Sequence, residues 1–338
     1  ADVVDGGLRY DLTLPLSRYY ANNSANLSAP FKALQVGSVW RADRPQKGRF
    51  RQFVQCDIDI LGDATNLAEI EEILALTKAL KRICPDKAYT VRVNDRAILK
   101  GMADYSGFPE NETDKVFIIL DKMDKIGLDG VREELLAEGY APEAVEKYTG
   151  LLAEIQNDAA GVRALGEKLS GVMDPAKAEN LATIMETVKA VADIEFGLEF
   201  DPTLVRGMGY YTGTIFEIAM PELGAACGGG GRYDKMVGKF TGQDVPACGF
   251  SIGFERIVTI LLDQENHIQS SIPKKAYLIE KGMDASRMCQ IMKQAMEERR
   301  DGVQVLVSQM NKNKKFQKEQ LNKEGYTDFV EFYREALK

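Results

Sequence analysis

Polar and apolar side chains alternate over residues 53–60, which is the pattern of a β-strand with two unlike faces. The even-numbered positions are apolar and predict an ordinary core face. The odd-numbered positions carry an aromatic ring, an amide and two carboxylates: Phe53, Gln55, Asp57 and Asp59. Pro45 and Gly48 interrupt the segment before this strand. Residues 33–61 therefore predict a β-hairpin with an irregular loop.

The loop of this hairpin is rich in cations, namely Arg44, Lys47, Arg49 and Arg51. Guanidinium groups bind phosphate oxygens in pairs, so such a loop suits phosphate or nucleic acid. Arg41 and Asp43 are predicted to share a face of the first strand. The hairpin would then offer arginines at its loop end and acceptors behind them, as an anionic ligand with a cationic group requires. A half-buried hairpin whose charged face is simply solvated is the alternative.

The same patterns divide the rest of the chain into elements. Strands are predicted for residues 8–13, 90–94, 199–201, 210–218, 247–252, 276–279 and 303–307. Helices are predicted for residues 14–20, 68–83, 254–262 and 285–300 and for a basic segment near the end. Thr13 is expected to cap the first helix. Residues 96–193 are almost wholly helical, with breaks expected at Gly107, Gly127 and Gly150.

Antiparallel hairpins with helices outside them predict an α+β fold, followed by a small α/β tail. The helical block separates two sheet-forming parts, so we expect it to be an insertion. The predicted boundaries are residues 1–95 and 196–265 for the two core parts, 96–195 for the insertion and 274–338 for the tail. A polar linker is expected between the core and the tail.

Composition narrows the possible functions. The chain has 338 residues and a net charge of -8, so overall charge does not favour nucleic acid and any such surface must be local. Its five cysteines show no CxxC pair, which makes a reducing cytoplasm the default compartment. The sole histidine, His267, lies in the predicted linker, which argues against histidine as base, nucleophile or metal ligand. No apolar run is long enough to span a bilayer.

Two arginines stand next to predicted strand ends. Arg256 falls in the first turn of an apolar helix, where free N–H groups already attract anions. Its alternative role is an ordinary surface ion pair. Arg206 precedes glycine hinges and the pair Tyr210 and Tyr211, whose rings offer flat walls with polar tips. The alternative is a plain turn with core aromatics.

A glycine run over residues 228–231 allows three interpretations. It could cradle a phosphate, although it lacks P-loop and GxGxxG spacing; it could form a tight turn or close packing; or it could let a ligand lie against the sheet. Asp11 and Thr13, at a strand-to-helix junction, either cap the helix or face a ligand. Together the arginines suit phosphates, the carboxylates suit an ammonium and the aromatic rings suit a flat ring. A nucleotide plus an amino acid would satisfy this set.

Four of these segments together resemble the histidyl-tRNA synthetases, a family of class II aminoacyl-tRNA synthetases. Residues 40–59 resemble the family's motif 2 and residues 249–258 its motif 3. Residues 204–213 and 229–234 resemble segments peculiar to the histidine enzymes. The resemblance implies a class II synthetase-like antiparallel sheet flanked by helices, a helical insertion and a C-terminal anticodon-binding-like α/β domain.

The resemblance also implies a role for each matching residue in ATP binding. Arg41 would hold the α-phosphate, and Asp43 would meet the adenine amino group. Phe53 would stack on the adenine ring. Arg49 and Arg256 would hold the β- and γ-phosphates. Magnesium would accompany the ATP phosphates, with no metal held by protein side chains alone.

The substrate histidine would be surrounded by a second set of side chains, on the same resemblance. Its amino group would be bound by Asp11, Thr13, Gln55 and Asp59. Its carboxylate would lie on Arg41, and its imidazole between Tyr210 and Tyr211. Arg206 matches the family's catalytic arginine beside the α-phosphate and, with Arg41, would stabilise the charge that grows there.

The activity so implied joins L-histidine to ATP, releases pyrophosphate and passes the histidyl group to the 3′ end of tRNA(His). No protein base is needed, because the attacking carboxylate is already ionised. The tail would contact tRNA through Lys312, Lys314 and Lys315. The resemblance also implies a homodimer in the cytoplasm.

The chain departs from the family pattern in three places. The motif 1 helix and strand, which build the family's dimer interface, are not in the sequence, and we expect them to precede it. Gly209 stands where many members have Asp, and the tail is short for the family's anticodon domain. The alternative is the non-catalytic regulatory subunit of ATP phosphoribosyltransferase, which resembles the same core. Such relatives tend to lose the basic residues that this chain retains, so the enzyme is favoured.

Overall fold

The computed structural model describes residues 6–46, 49–206, 209–221, 225–263 and 272–334. The chain divides into two compact units, residues 1–264 and 265–338, which are described separately. His267 and most of the predicted linker lie outside the described residues, as do Lys47 and Gly48 at the tip of the basic loop. No helix within the described ranges is long and apolar enough to cross a membrane.

In the described part of the first unit, seven strands form one sheet. They are β1 (Phe31–Trp40), β2 (Gln52–Leu61), β3 (Thr90–Asp95), β4 (Gly197–Phe200), β5 (Thr214–Met220), β6 (Ala225–Arg232) and β7 (Ala247–Gly253). Their order is β1-β2-β7-β6-β5-β3-β4. Every neighbouring pair is antiparallel except β3 and β4. The predicted hairpin is confirmed, and the predicted α+β class with it.

Ten helices accompany this sheet in the described residues. They are α1 (Thr13–Asn23), α2 (Leu67–Ile83), α3 (Arg96–Ser106), α4 (Thr113–Leu120), α5 (Met123–Ala137), α6 (Pro142–Glu154), α7 (Ala159–Lys168), α8 (Pro175–Val191), α9 (Gly238–Thr241) and α10 (Phe254–Asp263). One apolar core runs from α2, under the sheet, into α3 to α8. The sheet and the helical block therefore share the first unit, and their division into core and insertion stays a prediction.

The segment before α1 is not the strand that the alternation predicted. Residues 6–9 have no regular structure, and Trp40 N donates to Arg9 O at 2.9 Å as an isolated bond. The Arg9 guanidinium crosses β1 where Gly37 leaves room, since a Cβ at Gly37 would lie 2.6 Å from Arg9 Nη2. The segment thus crosses the sheet edge instead of pairing along it.

The start of α1 and the end of β1 also differ from the prediction. Thr13 is the first residue of the helix and not its cap; the Asp11 carboxylate accepts from Leu14 N at 3.1 Å instead. Strand β1 ends at Trp40, so Arg41 and Asp43 follow the strand and do not share one of its faces.

Two of the three predicted breaks in the helical block are confirmed. Helix α3 ends before Gly107, which has φ 93°, and α5 kinks at Gly127, with φ 67°. The break predicted at Gly150 is wrong, because α6 continues through it to Glu154. A single glycine costs a helix only about 1 kcal/mol, which the packing of the flanking apolar residues outweighs.

The glycine run is part of a strand and not a turn. Gly230 in β6 lies against β7 so closely that a Cβ would be 2.1 Å from Gly249 O. Close packing of backbones is therefore one reason for glycine here. The preceding strand, β5, begins at Thr214, four residues later than the start predicted at Tyr210, and pairs with β6 from Ile215.

The second unit is a small α/β layer structure in its described part. Its parallel strands are β8 (Lys274–Ile279), β9 (Gln304–Gln309) and β10 (Asp328–Phe332), in the order β10-β8-β9, with helices α11 (Ala285–Arg300) and α12 (Lys314–Lys323). Alternate residues of β8 face two apolar clusters, one with α11 and one with α12. The predicted α/β tail is confirmed, and β10 is a strand that was not predicted from the sequence.

Candidate active site

A cavity of about 590 Å³ lies over the sheet of the first unit. It brings together all the side chains that the resemblance assigned to ATP and histidine: Asp11, Thr13, Arg41, Asp43, Arg49, Phe53, Gln55, Asp59, Arg206, Tyr210, Tyr211 and Arg256. These residues come from four separated segments of the chain. Their proximity is a finding, while the contact that each would make with a ligand stays a prediction.

The floor of the cavity follows from strand register. Asp57 of β2 lies opposite Ser251 of β7, which lies opposite Gly229 of β6, which lies opposite Glu217 of β5. Because paired residues point to the same side of a sheet, this row of polar and small residues forms one face. The polar face of β2 is the more buried one, since Gln55, Asp57 and Asp59 are 2–6% exposed.

Arg41 is held between two aromatic rings at one side of the cavity. Its guanidinium carbon lies 4.3 Å from the centroid of the Tyr10 ring and 5.0 Å from that of Phe53. Arg41 Nε also donates to Tyr10 O at 3.3 Å. The stacked rings fix the plane of the guanidinium, so its remaining N–H donors point in a set direction for an anion. Tyr10 was not predicted as a site residue.

Asp59 is fixed by groups from two other elements. Tyr233 OH donates to Asp59 Oδ1 at 2.5 Å, and Gln35 Nε2 donates to Oδ2 at 3.2 Å. Gly249 makes this arrangement possible, because a Cβ there would lie 2.1 Å from Asp59 Oδ1. Burial raises the pKa of Asp59 to about 7, partly offset by the Tyr233 hydrogen bond. A cationic ligand would favour its ionised form.

Gln55 and Asp57 form the next part of the floor. Gln55 Nε2 donates to Asp57 Oδ2 at 3.0 Å and lies 3.2 Å from Ser251 Oγ. Arg41 Nη2 donates to Gln55 Oε1 at 3.4 Å. Burial raises the pKa of Asp57 to about 6 against the lowering effect of hydrogen bonds from Ser251 and Gln55. Asp57 lies on the predicted polar face but had been given no role.

Arg206 and Arg256 approach the glycine-rich strand β6 from two sides. Arg206 pairs with Glu217, and a Cβ at Gly229 would lie 3.5 Å from its guanidinium carbon. Arg256 lies in the first turn of α10, as predicted, and its Nη1 donates to Ala226 O. Burial lowers the pKa of both guanidinium groups. A bound anion would therefore stabilise the charged form of both guanidinium groups, because it replaces the hydration that they lost on burial.

Two tyrosines form part of the cavity wall. The Tyr210 and Tyr211 rings meet edge to face with centroids 4.9 Å apart. Thr13 hydrogen-bonds the Tyr210 hydroxyl, and burial raises the pKa of both phenols further above neutral pH. They give the cavity an apolar wall with polar tips, which suits a flat polar ring.

Four residues that contact the predicted site side chains were missed or, like Asp57, left without a role: Tyr10, Glu217, Tyr233 and Gln35. Tyr233 lay in the segment matched to the family, and Gln35 is paired with Asp57 across β1 and β2. The alternation in β1 could have suggested Gln35. The contact of Glu217 with Arg206 depends on strand pairing and could not be read from spacing.

The three lysines of the tail differ in their surroundings. Lys314 Nζ lies 2.9 Å from Glu331 Oε2 and 2.7 Å from Tyr333 OH. Lys312 and Lys315 are exposed, and neither forms an ion pair with any described residue. The three lysines thus share a segment, but the Lys314 ammonium is already bound by Glu331 and Tyr333 of the same unit.

The cavity is lined by charges of both signs. Arg41, Arg49, Arg206 and Arg256 supply cations, and Asp11, Asp43, Asp57, Asp59 and Glu255 supply carboxylates. No group of three metal-ligating side chains occurs among the described residues. The arrangement can hold a polyanion beside a small zwitterion, with guanidinium groups at the place where the two meet.

An antiparallel sheet that carries such a cavity between two arginine-bearing segments defines a catalytic unit of the class II aminoacyl-tRNA synthetase type. The family model described as histidyl-tRNA synthetase matches residues 6–257. The chain therefore belongs to the histidyl-tRNA synthetase family.

Known relatives agree with this assignment. A histidine–tRNA ligase of Leifsonia xyli subsp. xyli is 49% identical over 263 residues, which cover 76% of this chain and 60% of the relative. A probable histidine–tRNA ligase of Tropheryma whipplei is 41% identical over 287 residues, covering 82% and 65%. The chain thus spans under two thirds of the length of these curated relatives.

Solved structures resemble the fold as well. The crystal structure of histidyl-tRNA synthetase from Nostoc sp. PCC 7120 aligns with a TM-score of 0.71 and 26% identity, covering 94% of this chain and 74% of that one. A structure from Bacillus halodurans, described as an ATP phosphoribosyltransferase regulatory subunit/histidyl-tRNA synthetase, aligns with a TM-score of 0.69 at 22% identity. The second likeness concerns the fold alone, so it does not favour the regulatory alternative.

Proposed function

We propose that this chain activates L-histidine with ATP to form histidyl-adenylate and pyrophosphate, and transfers the histidyl group to the 3′ end of tRNA(His). The observation that carries the proposal is the convergence of four arginines and five carboxylates in one cavity over the sheet. Family membership supports the same activity, since the relatives named above are histidine–tRNA ligases.

The nucleotide would lie at the arginine side of the cavity. Arg41 would contact the α-phosphate, and Arg49 and Arg256 the β- and γ-phosphates. Asp43 would accept from the adenine amino group, and the Phe53 ring would stack on adenine. Support comes from Arg256, whose Nη1 is anchored on Ala226 O while the rest of its guanidinium lines the cavity.

Histidine would lie at the carboxylate side, with its ammonium near Asp11, Thr13, Gln55 and Asp59. Its carboxylate would contact Arg41, and its imidazole would lie against Tyr210 and Tyr211. The carboxylate oxygen attacks the α-phosphorus in line, the bond to the bridging oxygen breaks and pyrophosphate leaves. Arg206 and Arg41 would stabilise the negative charge on the α-phosphate in the transition state.

The residues present fit a magnesium ion that arrives with the nucleotide. No cage of three protein ligands occurs in the described residues, and phosphate oxygens are themselves good magnesium ligands. Glu255 also lines the cavity, but its Oε1 already accepts from Val54 N at 2.6 Å. The ion would supply charge neutralisation on the phosphates, beside the guanidinium groups.

In the second step the terminal ribose hydroxyl of tRNA attacks the carbonyl carbon of the adenylate, and AMP leaves. Lys312 and Lys315, and to a smaller degree the ion-paired Lys314, would contribute to tRNA binding at the second unit. We also propose a cytoplasmic homodimer. The dimer is supported by the edge strand β1, on which Leu34 and Val36 are 72% and 66% exposed. The cytoplasmic location is supported by the five cysteines, all of which are free.

Histidine-dependent exchange of pyrophosphate into ATP tests the proposal. We expect exchange with histidine and none with asparagine or glutamine, which are also polar but lack an imidazole ring. Absence of exchange with histidine by the folded protein would overturn the proposal. Stimulation of an ATP phosphoribosyltransferase catalytic subunit in that case would favour the regulatory alternative.

A further inference from the structure

The buried amide of Gln55 has one end tied to two neighbours. Its Nε2 lies 3.0 Å from Asp57 Oδ2, 3.3 Å from Asp57 Oδ1 and 3.2 Å from Ser251 Oγ. Asp57 and Ser251 are directly paired across β2 and β7, so backbone hydrogen bonds fix their separation. Asp57 is 2% exposed and Gln55 6%.

The chemistry of Asp57 decides which way this amide points. An ionised carboxylate only accepts hydrogen bonds, so it must face the NH2 end of the glutamine. The serine hydroxyl both donates and accepts, and it therefore follows the choice that Asp57 imposes. The carbonyl oxygen Oε1 is left at the other end, where Arg41 Nη2 lies 3.4 Å away. A flipped amide would place NH2 against a guanidinium and a carbonyl against a carboxylate, two repulsive contacts.

We propose that Asp57, assisted by Ser251, is a positioning residue that fixes Gln55 with its carbonyl oxygen toward the cavity, so that Gln55 accepts a hydrogen bond from the substrate ammonium. The identity of that ligand rests on the proposed function. Asp57 acts through Gln55, because both of its oxygens lie within 3.3 Å of Gln55 Nε2. A free amide would present NH2 half of the time and repel an ammonium in that orientation.

The variant Asp57→Asn tests the proposal with little change of shape. An asparagine offers NH2 as readily as it offers a carbonyl, so it no longer selects one orientation of Gln55. We expect the KM for histidine in pyrophosphate exchange to rise about tenfold, which corresponds to the loss of one hydrogen bond to a charged group. The KM for ATP and kcat should stay within about twofold. Ser251→Ala should raise the same KM by a smaller factor. An unchanged KM for histidine in Asp57→Asn would overturn the proposal.

A double-mutant cycle separates positioning from a general structural effect. In a Gln55→Ala background, Asp57→Asn should change the KM for histidine by less than about twofold, because its only route of action is gone. Additive effects would overturn the proposal. Asp95→Asn is the matched control, since Asp95 is another buried carboxyl whose pKa burial raises to about 6, but it caps α3 outside the cavity. It should leave the KM for histidine unchanged.

Hydrogen exchange of the Gln55 side-chain amide needs no enzymatic activity, so it distinguishes the positioning of Gln55 from the proposed function. The side-chain NH2 protons of Gln55, assigned in NMR spectra by their loss in Gln55→Ala, should exchange slowly with solvent in the unmodified protein. They should exchange at least about tenfold faster in Asp57→Asn, since an amide held by Asp57 opens only when that contact breaks. Equal exchange rates would overturn the positioning role. If exchange of pyrophosphate failed while this protection held, the proposed function would fall and the positioning of Gln55 would stand.

Discussion

Two sets of basic side chains differ in how they are held: three arginines of the cavity, and Lys312 and Lys315 of the tail. Arg41 is stacked between two rings, Arg206 is paired with Glu217 and Arg256 is anchored on Ala226 O. Lys312 and Lys315 are exposed without an ion pair among the described residues. A cation held at one end presents the rest of its donors in a fixed direction, whereas a free lysine adds only to the local field.

This difference indicates two kinds of recognition. Fixed guanidinium groups are worth most where charge develops during a reaction, because they need no reorganisation at that moment. Mobile surface ammonium groups attract a polyanion over several ångströms, and salt screens that attraction. Catalysis should therefore depend on single arginines of the cavity, while affinity for RNA should be spread thinly over the lysines.

The largest effect is expected from Arg206→Ala. We predict a loss of about 10³-fold in the rate of histidine-dependent pyrophosphate exchange, since one fixed donor to a developing charge is removed. Arg163→Ala is a matched control, because Arg163 is also paired with carboxylates, Glu179 and Glu186, but on α7 and away from the cavity. The control should retain full exchange. A rate for Arg206→Ala within tenfold of the unmodified protein would remove the arginine from the catalytic step.

A smaller but still large loss is expected from Gly249→Ala. The new Cβ would lie 2.1 Å from Asp59 Oδ1 and 3.0 Å from Tyr233 Cε1, so Asp59 must move. We predict about a 100-fold lower kcat/KM for histidine, the scale of misplacing a contact group by about 1 Å. Gly150→Ala is the control: its Cβ would meet nothing within 4 Å, and it should raise the free energy of unfolding by about 0.5–1 kcal/mol with activity unchanged.

The lysines should show modest effects that depend on salt. The double variant Lys312→Ala/Lys315→Ala should weaken tRNA binding about fivefold at low salt and reduce the salt slope of log K by about 1.5. Lys314→Ala should change affinity by less than twofold, because Glu331 and Tyr333 already hold that ammonium. Exchange of pyrophosphate should be unaffected in both. A larger loss of affinity from Lys314→Ala than from the double variant would contradict this ranking.

The smallest effect, on stability, should have opposite pH dependence in the two regions. Burial raises the pKa of Asp59 from 3.8 to about 7, so its contribution to stability is full below pH 3.8 and lost as the pH rises through 7. Hydrogen bonds from Lys318, Tyr333 and Lys314 lower the pKa of Glu331 from 4.5 to about 2, so its contribution is present above pH 4.5 and lost as the pH falls to 2.

Calorimetry of variants at several pH values checks this contrast. Asp59→Asn should raise the melting temperature by about 5 °C at pH 8, and the difference should shrink toward pH 4. Glu331→Gln should lower the melting temperature of its transition at pH 7, with the difference shrinking only below about pH 4. A destabilisation by Asp59→Asn that is larger at pH 8 than at pH 4 would show that the Asp59 charge is not disfavoured in the folded state.

Much of the site could be predicted because one strand carries it. The alternation over residues 53–60 places Gln55, Asp57 and Asp59 on one face of β2, and the structure keeps them there. Period-two geometry is local and leaves little freedom. Helix α10, with Arg256 in its first turn, could likewise be predicted from the apolar periodicity of a short segment. The prediction of a break at Gly150 was wrong, because it rested on the low helix propensity of glycine, which tertiary packing overrides.

The sequence by itself determined the hairpin, the periodicity of the long helices and the family, because these depend on neighbouring residues and on motifs within short segments. Only the tertiary structure decided that Tyr10 stacks on Arg41, that Glu217 holds Arg206, and that Tyr233 and Gln35 hold Asp59. These contacts join strands and loops that are distant in the chain. Their geometry is set by strand register and by the glycines of β6 and β7, which let side chains from opposite directions meet over one sheet.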